Sequence, residues 1–463
     1  MTAPPYGVGK TGEPAFAERG IVEGFYGRPW SHEQRLDIIR FIGARGMNRF
    51  VYAPKDDPLM RRDWAQPYDA DDLARIAELA DACAQHGVEL VYCISPGLSI
   101  RYSSAADSEA LIAKLASVAA VGVRRFGLLL DDVPARLQHP ADLTRFDTLA
   151  QAQRELANTV WAALRENVPG ATLVVCPTEY WGYGDEPYLV ELAAGLHPEV
   201  DLFWTGRAIC SATIDAPDAE RFAQATGRAP LYWDNYPVND VAMGDELHIG
   251  PYRGRSPELD AVARGVIANG MELFESSKIA FATIADFLWS PRDYDPEASW
   301  DVALRDVVGT ADADAFRDFA DNVRSSCLSA HDAPQVTRAL EDHDFATLIG
   351  DKSRAVAAVA PLAARLRTSA DHLLSGRCRN DALVAEARPW LESFDVGVRA
   401  LEMIGDLTDR GRLAEEGPAA LSPLLAELRT RHRRVFGDVM DMTLDGICSD
   451  HNTTTSPENR KTA

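Results

Sequence analysis

From about residue 20 to residue 300, short apolar runs alternate with stretches whose apolar residues recur every three or four positions. The short runs are Gly20–Tyr26, Arg49–Pro54, Glu89–Ser95, Arg125–Asp131, Thr172–Thr178, Asp201–Thr205, Pro230–Asn235 and Glu272–Ala280. They are rich in Val, Leu, Ile and aromatic residues and mostly lack polar alternation, which is the pattern of strands covered on both faces. The stretches between them carry helix-start signals. Ser31 and Gln34 form a capping box ahead of Leu36, Ile38 and Ile39. Asp71 precedes Leu73, Ile76 and Leu79, and Ser108 precedes Leu111, Ile112 and Leu115. Eight strand–helix units in about 250 residues predict an α/β fold, a (β/α)8 TIM barrel over residues 18–300. The rival is an open doubly wound sheet. Its dinucleotide-binding form is weakened by the lack of a Gly-x-Gly-x-x-Gly turn after the first strand.

Beyond Trp300 the strand-like runs stop, and Ala, Leu, Arg and Asp dominate. Val356, Val359, Leu362 and Leu366 recur at helical spacing, as do Leu421, Leu424, Leu428 and Val435 after a Ser422-Pro423 start signal. Residues 301–448 therefore predict an all-α helical domain of about five helices. Its apolar stripes suit a core or the contact of a homodimer. Residues 1–17, polar and rich in Gly and Pro, predict a flexible N-terminus, and residues 449–463 a disordered tail.

Composition adds limits. The chain is 46% hydrophobic and 25% charged, as a globular protein is. It has no run of about 18 apolar residues, and the N-terminus lacks the apolar centre of a secretory leader, so the expected location is the cytoplasm and no membrane partner is expected. The formal net charge of −23 repels nucleic acid and anionic lipid, and disfavours a polyanion such as hyaluronan. The seven cysteines are scattered without a Cys-x-x-Cys pair, and the ten histidines lack ligand spacing, so neither a disulfide framework nor a metal site is expected.

In a barrel of this kind the chemistry sits where strands end. There the sequence collects Glu23-Gly24-Phe25-Tyr26, Pro54-Lys55-Asp56-Asp57, Ser95-Pro96-Gly97, Asp131-Asp132, Cys176-Pro177-Thr178-Glu179-Tyr180, Trp204-Thr205-Gly206, and Trp233-Asp234-Asn235 with Asn239-Asp240 just beyond. Asn269 precedes the eighth run. Rings that stack on sugar faces, together with amides and carboxylates that reach hydroxyls, make a carbohydrate pocket.

Asp131-Asp132 follows the apolar run Leu128-Leu129-Leu130, so two charges there need a reason. One of them capping the next helix fits the spacing as well as catalysis does. As catalysts, adjacent residues poorly match two carboxylates about 5–9.5 Å apart across a glycosidic bond. They suit a division of labour in which one holds the substrate and the other protonates the leaving oxygen, with like-charge crowding raising one pKa. Lys55 fits a hydrogen bond to a sugar hydroxyl better than an imine-forming role, because Asp56 and Asp57 favour its charged form; a surface ion pair is a further alternative. Tyr180, Trp204 and Trp233 each also fit a core position, Gly24 a sharp turn, and Asn235, Asp240 and Asn269 ordinary turn chemistry.

Taken together, Gly20-Ile21-Val22-Glu23-Gly24-Phe25-Tyr26-Gly27-Arg28-Pro29-Trp30, Tyr52-Ala53-Pro54-Lys55-Asp56-Asp57, Ile94-Ser95-Pro96-Gly97, Leu130-Asp131-Asp132, Cys176-Pro177-Thr178-Glu179-Tyr180, Trp233-Asp234-Asn235 and Gly250-Pro251-Tyr252-Arg253-Gly254-Arg255 resemble glycoside hydrolase family 84. These are the O-GlcNAcase and bacterial hyaluronidase-like β-N-acetylglucosaminidases. The resemblance runs in order from about residue 18 to 300. It implies a retaining, substrate-assisted mechanism through an oxazoline, acting on N-acetylglucosaminides, with no metal or organic cofactor. Asp131 would orient the acetamide N–H, Asp132 would be general acid and then base, and Tyr180 would bond near the acetamido oxygen. Gly24, Lys55, Asn235, Asp240 and Asn269 would hold hydroxyls or the acetamido group, and Trp233 and Cys176 would line its pocket. Asn269-Gly270 replaces the family's usual Asn-Pro, and Trp289-Ser290-Pro291 its Trp-Asn-Pro. A sugar-binding scaffold without turnover and a Lys55-dependent lyase are the competing functions.

Overall fold

The structure, a computed structural model, describes residues 12–330 and 333–453. Eight strands close a parallel barrel in sequence order: β1 (Glu18–Glu23), β2 (Arg49–Tyr52), β3 (Glu89–Ile94), β4 (Arg125–Leu129), β5 (Thr172–Cys176), β6 (Val200–Trp204), β7 (Leu231–Asp234) and β8 (Gly265–Asn269). β8 returns to β1 with Ile21 beside Ala268 and Val22 beside Asn269. Closure leaves no sheet edge, and helices cover the outside, which is why the strands read as unbroken apolar runs.

Seven of the expected runs coincide with strands, and the eighth does not. Glu272–Ala280 is not a strand: Phe274–Trp289 is a helix, buried around nearly its whole circumference. A helix apolar on all sides shows no period, so it cannot be told from a buried strand by pattern. The true β8 is the short Gly-Val-Ile-Ala-Asn segment before it, which puts Asn269 at a strand end rather than ahead of a strand.

The capping box at Ser31 is present, with Gln34 N donating to Ser31 Oγ at 3.2 Å and Ser31 N to Gln34 Oε1 at 2.8 Å. The next two helices start a turn or so earlier than expected. Asp69 caps Ala70–Gln85 and Ser104 caps Ala105–Ala120, because each accepts the backbone N–H three residues on.

Two compact units are present. One takes the chain up to Val241 together with Tyr252–Ser299; the other takes Ala242–Pro251 together with the chain from Trp300 onward. In the second unit, Asp245 O accepts from Trp390 Nε1 at 2.8 Å and Ile249 O from Trp300 Nε1 at 2.6 Å. Its helices include Ala313–Ala320, Pro334–Leu348, Lys352–Leu374, Asp381–Arg410, Leu413–Arg431 and Val439–Thr453, more than the five expected. Ser422-Pro423 lies inside Leu413–Arg431 instead of starting it, and Val435 falls beyond that helix. Ser422 Oγ bonds back to Pro418 O at 2.6 Å within the same helix.

The termini also differ from expectation where they are described. Phe16 is buried, and Ala15 N and Phe16 N donate to Trp289 O and Leu288 O at 3.0 and 3.3 Å, so residues 15–17 are fixed rather than flexible. The last helix runs to Thr453, so 449–453 is helical; residues 1–11 and 454–463 lie outside the described residues. None of the cysteines forms a disulfide. Among the described residues no helix is long and apolar enough to cross a membrane.

Candidate active site

In a parallel barrel all carboxyl strand ends share one rim, and every second residue of a strand points inward. Val22, Ala53, Leu129, Trp233 and Ile267 belong to the buried interior cluster. Two residues further along, on the same inward alternation, come Gly24, Lys55, Asp131, Asn235 and Asn269. The candidate site is thus the top layer of the barrel interior, with polar groups where the layer below carries apolar side chains.

Asp132 breaks the alternation and should face away. Its backbone instead takes φ +54°, a left-handed conformation. For a residue with a Cβ this costs about 1–3 kcal/mol and persists only where the surroundings enforce it. The turn returns its carboxylate to the mouth, where Lys55 Nζ lies 3.7 Å from Asp132 Oδ2 and also pairs with Asp131 Oδ2. Neither Asp caps a helix, since the next helix starts at Pro140 with His139 in the cap position.

Lys55 is buried between these carboxylates. Burial alone would lower its pKa, but Asp131 and Asp132 reverse this and raise it above the ordinary lysine value. An imine-forming lysine needs the opposite shift. Asp56 and Asp57 are occupied elsewhere: Asp56 Oδ2 accepts from Gly27 N at 2.9 Å, and Asp57 accepts from Tyr52 Oη at 2.6 Å.

The remaining valences are uneven. Asp131 Oδ1 is buried without a hydrogen-bond partner among the described residues. Both oxygens of Asp132 are taken, Oδ2 by Tyr26 Oη at 2.7 Å and Oδ1 by Tyr180 Oη at 3.0 Å. Burial pushes the Asp132 pKa up, but Lys55, the two phenol donors and Arg61 outweigh it and hold the carboxyl below its ordinary value. The upward shift expected from like-charge crowding is therefore not the state of Asp132 in the free site, because Lys55 stands against both carboxylates and offsets their repulsion.

A second set of bonds forms a closed circuit. Gly24 N donates to Asn269 Oδ1 at 3.1 Å, Asn269 Nδ2 to Asn235 Oδ1 at 3.0 Å, and Trp233 Nε1 to the same Asn235 Oδ1 at 3.0 Å. The Trp233 ring then returns to Gly24, where a Cβ would stand 2.3 Å from Cζ2. Only glycine admits this approach. Asp240 Oδ2 accepts from Tyr26 N at 2.6 Å, and burial raises the Asp240 pKa. Cys176 is a buried thiol in the interior cluster against which Tyr180 packs.

Trp204 has the other parity. It faces outward, stacked on Phe222 at 5.0 Å, and is a core ring rather than a rim residue. Tyr26 and Arg61 were not among the expected site residues. Tyr26 stands in the first strand-end motif and was legible there; Arg61 lies in the turn after Lys55, and no spacing rule points to it. Of His, Cys, Asp and Glu among the described residues, Asp312, His372 and Cys378 come close enough together to ligate an ion. They lie in the helical unit, where Asp312 already accepts from His372 Nε2 at 2.7 Å and Arg379 N at 2.8 Å.

Comparison with known proteins gives a consistent picture. A family profile described as beta-N-acetylglucosaminidase matches residues 19–321. Protein O-GlcNAcase of Rattus norvegicus is 36% identical over 272 residues, and so is that of Mus musculus. The match takes 58% of this chain but 29% of either relative, so the chain spans less than a third of their length. Among solved structures, a mutant O-GlcNAc hydrolase of Thermobaculum terrenum superposes with a TM-score of 0.89 at 32% identity, covering 95% of this chain and 96% of that one. CpGH84B superposes with a TM-score of 0.84 at 29% identity, covering 94% and 77%.

Proposed function

The chain belongs to the beta-N-acetylglucosaminidase family, and from that premise we propose that it is an O-GlcNAcase-like hydrolase that removes terminal β-linked N-acetylglucosamine with retention, through substrate-assisted catalysis. The observation that carries this reading is Asp131. Its carboxylate is buried, paired through Oδ2 with Lys55, and its Oδ1 has no donor among the described residues. A buried carboxylate oxygen left without a donor is costly, and the N–H of a substrate acetamide supplies one.

Held in this way, the acetamide nitrogen becomes electron-rich and its carbonyl oxygen attacks the anomeric carbon. The bond to the leaving oxygen breaks as the oxazoline forms, and Asp132 gives that oxygen its proton. Asp132 then takes a proton from water, which opens the oxazoline from the face the leaving group vacated, so the configuration is retained. Two adjacent carboxylates sharing one lysine do not flank a glycosidic bond, which argues against a double displacement on an enzyme carboxylate.

Tyr180 links binding to proton transfer. In the free site its hydroxyl donates to Asp132 Oδ1; with substrate present it turns to the acetamido oxygen. Asp132 then loses a donor that favours its anion, and its proton affinity rises where an acid is needed. Gly24 (through its backbone), Lys55, Asn235, Asp240 and Asn269 hold hydroxyls and the acetamido group, while Trp233 and Cys176 line the acetamido pocket. The circuit among Gly24, Asn269, Asn235 and Trp233 supports this assignment, since it fixes those groups before substrate arrives.

The test is Asp132→Asn. Activity on substrates with poor leaving groups should fall by about 10²–10⁴, and on activated aryl glycosides far less, because only the former need the proton. Equal losses on both would remove Asp132 as the acid. Sugar binding without release from any N-acetylglucosaminide by the wild-type protein would instead support a silent scaffold.

A further inference from the structure

Arg61 is a buried residue that makes no direct ion pair with a carboxylate among the described residues; the anion it stabilises, Asp132, is reached through the Tyr26 hydroxyl. A buried charge held one side chain away from its counter-ion needs a reason. Its Nη1 donates to Tyr26 Oη at 2.9 Å, its Nη2 to the backbone carbonyl of Asp132 at 3.4 Å, and its guanidinium lies 5.5 Å from the Tyr26 ring centroid. Tyr26 Oη accepts from Arg61 and so donates to Asp132 Oδ2. Arg61 therefore reaches Asp132 from two sides, at the peptide carbonyl directly and at the carboxylate through one phenol. These contacts fall on the residue whose backbone takes the left-handed φ of +54°. Arg61 itself sits on a fixed turn, with its N–H donating to Asp57 O at 3.2 Å and Asp57 Oδ1 accepting from Leu59 N at 2.9 Å.

We propose that Arg61, acting with Tyr26, is a positioning residue for the proton donor, locking Asp132 by its carbonyl and Oδ2 so that Oδ1 is the oxygen presented to the leaving group. The proposal rests on the reading of Asp132 as general acid. Tyr180 and Tyr26 are not equivalent under it. Tyr180 gives up Oδ1 when substrate enters, whereas Tyr26 stays on Oδ2 because Arg61 holds its oxygen. The charged and titratable groups facing Asp132 are Lys55, Tyr26, Tyr180, Arg61, Asp131, Asp240 and the thiol of Cys176. Arg61 and the Tyr26 hydroxyl both favour the Asp132 anion.

The experiment uses the full chain carrying Tyr26→Phe, Arg61→Met or Arg61→Lys, with Asp132→Asn alongside. The acid must be protonated, so kcat/KM falls as pH rises through the free-enzyme pKa of Asp132. Removing the Tyr26 hydroxyl or the Arg61 charge should move that alkaline limb up by about one pH unit. Turnover should fall about 10–100-fold on poor leaving groups and less than about threefold on activated aryl glycosides, because positioning of the acid matters only where the acid does. Arg61→Lys, which keeps the charge, should return the limb toward its wild-type position. An unmoved limb in both Tyr26→Phe and Arg61→Met, or losses equal across leaving groups, overturns the proposal while leaving Asp132 as acid. Tyr26→Phe, which removes one half-exposed hydroxyl, keeps the test valid if Arg61→Met does not fold. An Asp132→Asn variant indifferent to the leaving group overturns both readings.

Discussion

Replacing Gly24 by alanine tests the site at its tightest point. The new Cβ would stand 2.3 Å from Trp233 Cζ2 and 2.8 Å from Cη2. Carbon atoms settle at about 3.5–4.0 Å, so the indole has to retreat by more than about 1 Å. It cannot retreat freely, because it is buried and meets the Phe203 ring edge-to-face at 5.3 Å. Such a shift also breaks the 3.0 Å bond from Trp233 Nε1 to Asn235 Oδ1. Overpacking of about 1–3 kcal/mol and a lost hydrogen bond of about 0.5–1.5 kcal/mol give a destabilisation of about 1.5–4.5 kcal/mol. Misplacing a binding group by about 1 Å also costs about 10²-fold in rate. Denaturant unfolding and kcat/KM for an aryl N-acetylglucosaminide measure the two effects. The loss should shrink in a Trp233→Phe background, which removes the clashing atoms, so a double-mutant cycle should show coupling between the two positions. A Gly24→Ala variant within about 0.5 kcal/mol of wild type in stability, the usual scatter of neutral substitutions, and unchanged in kcat/KM would refute this account of a pinned indole.

Other outcomes follow from the same geometry. Lys55→Met leaves the Asp131 carboxylate buried and unpaired, and should lower stability by about 3–5 kcal/mol in addition to abolishing turnover; a fully active or equally stable variant would contradict the ion pair's role. A thiazoline mimic of the oxazoline should inhibit competitively, and indifference to it would remove the substrate-assisted mechanism. Lys114 is buried against Tyr68 and donates to Leu59 O and to Trp64 O at 3.0 Å; burial lowers its pKa to about 8 from 10.5. The unfolded chain then binds more protons than the native one between those two values, so this group makes stability rise as pH climbs through that window. Urea unfolding from neutral to alkaline pH should show the rise in wild type and a smaller one in Lys114→Met.

Much of the fold was legible because a barrel covered on both faces writes each strand as an apolar run. The failure at the eighth run has the same cause. Phe274–Trp289 is also apolar all round, and five-residue β8 gives little signal beside it. The placement of the candidate residues at one rim was legible by position, and the period-two register explains why. Gly24, Lys55, Asp131, Asn235 and Asn269 each stand two residues past an interior residue. Trp204 follows the interior residue Phe203 by one, and the same count assigns it to the outer face. Asp132 violates the count, and only its left-handed φ resolves the conflict. Arg61 was not legible, because its role depends on how the turn after Lys55 folds back over β1 and β4 loops, and no local pattern encodes that.

The circuit from Gly24 through Asn269 and Asn235 to Trp233 joins groups at the ends of β1, β7 and β8, and its bond between the Gly24 backbone and Asn269 links positions 245 residues apart. It therefore crosses the seam at which the first strand meets the last. Contacts of such separation form late, after the entropy of closing the long loop has been met. During refolding, the proposed sugar pocket should not form until the ring of strands is complete, and regain of activity should report the last step of barrel assembly. A ligand that binds only the closed circuit adds its binding free energy to that one step, so occupancy should protect the terminal strands from hydrogen exchange as strongly as it protects the residues it touches.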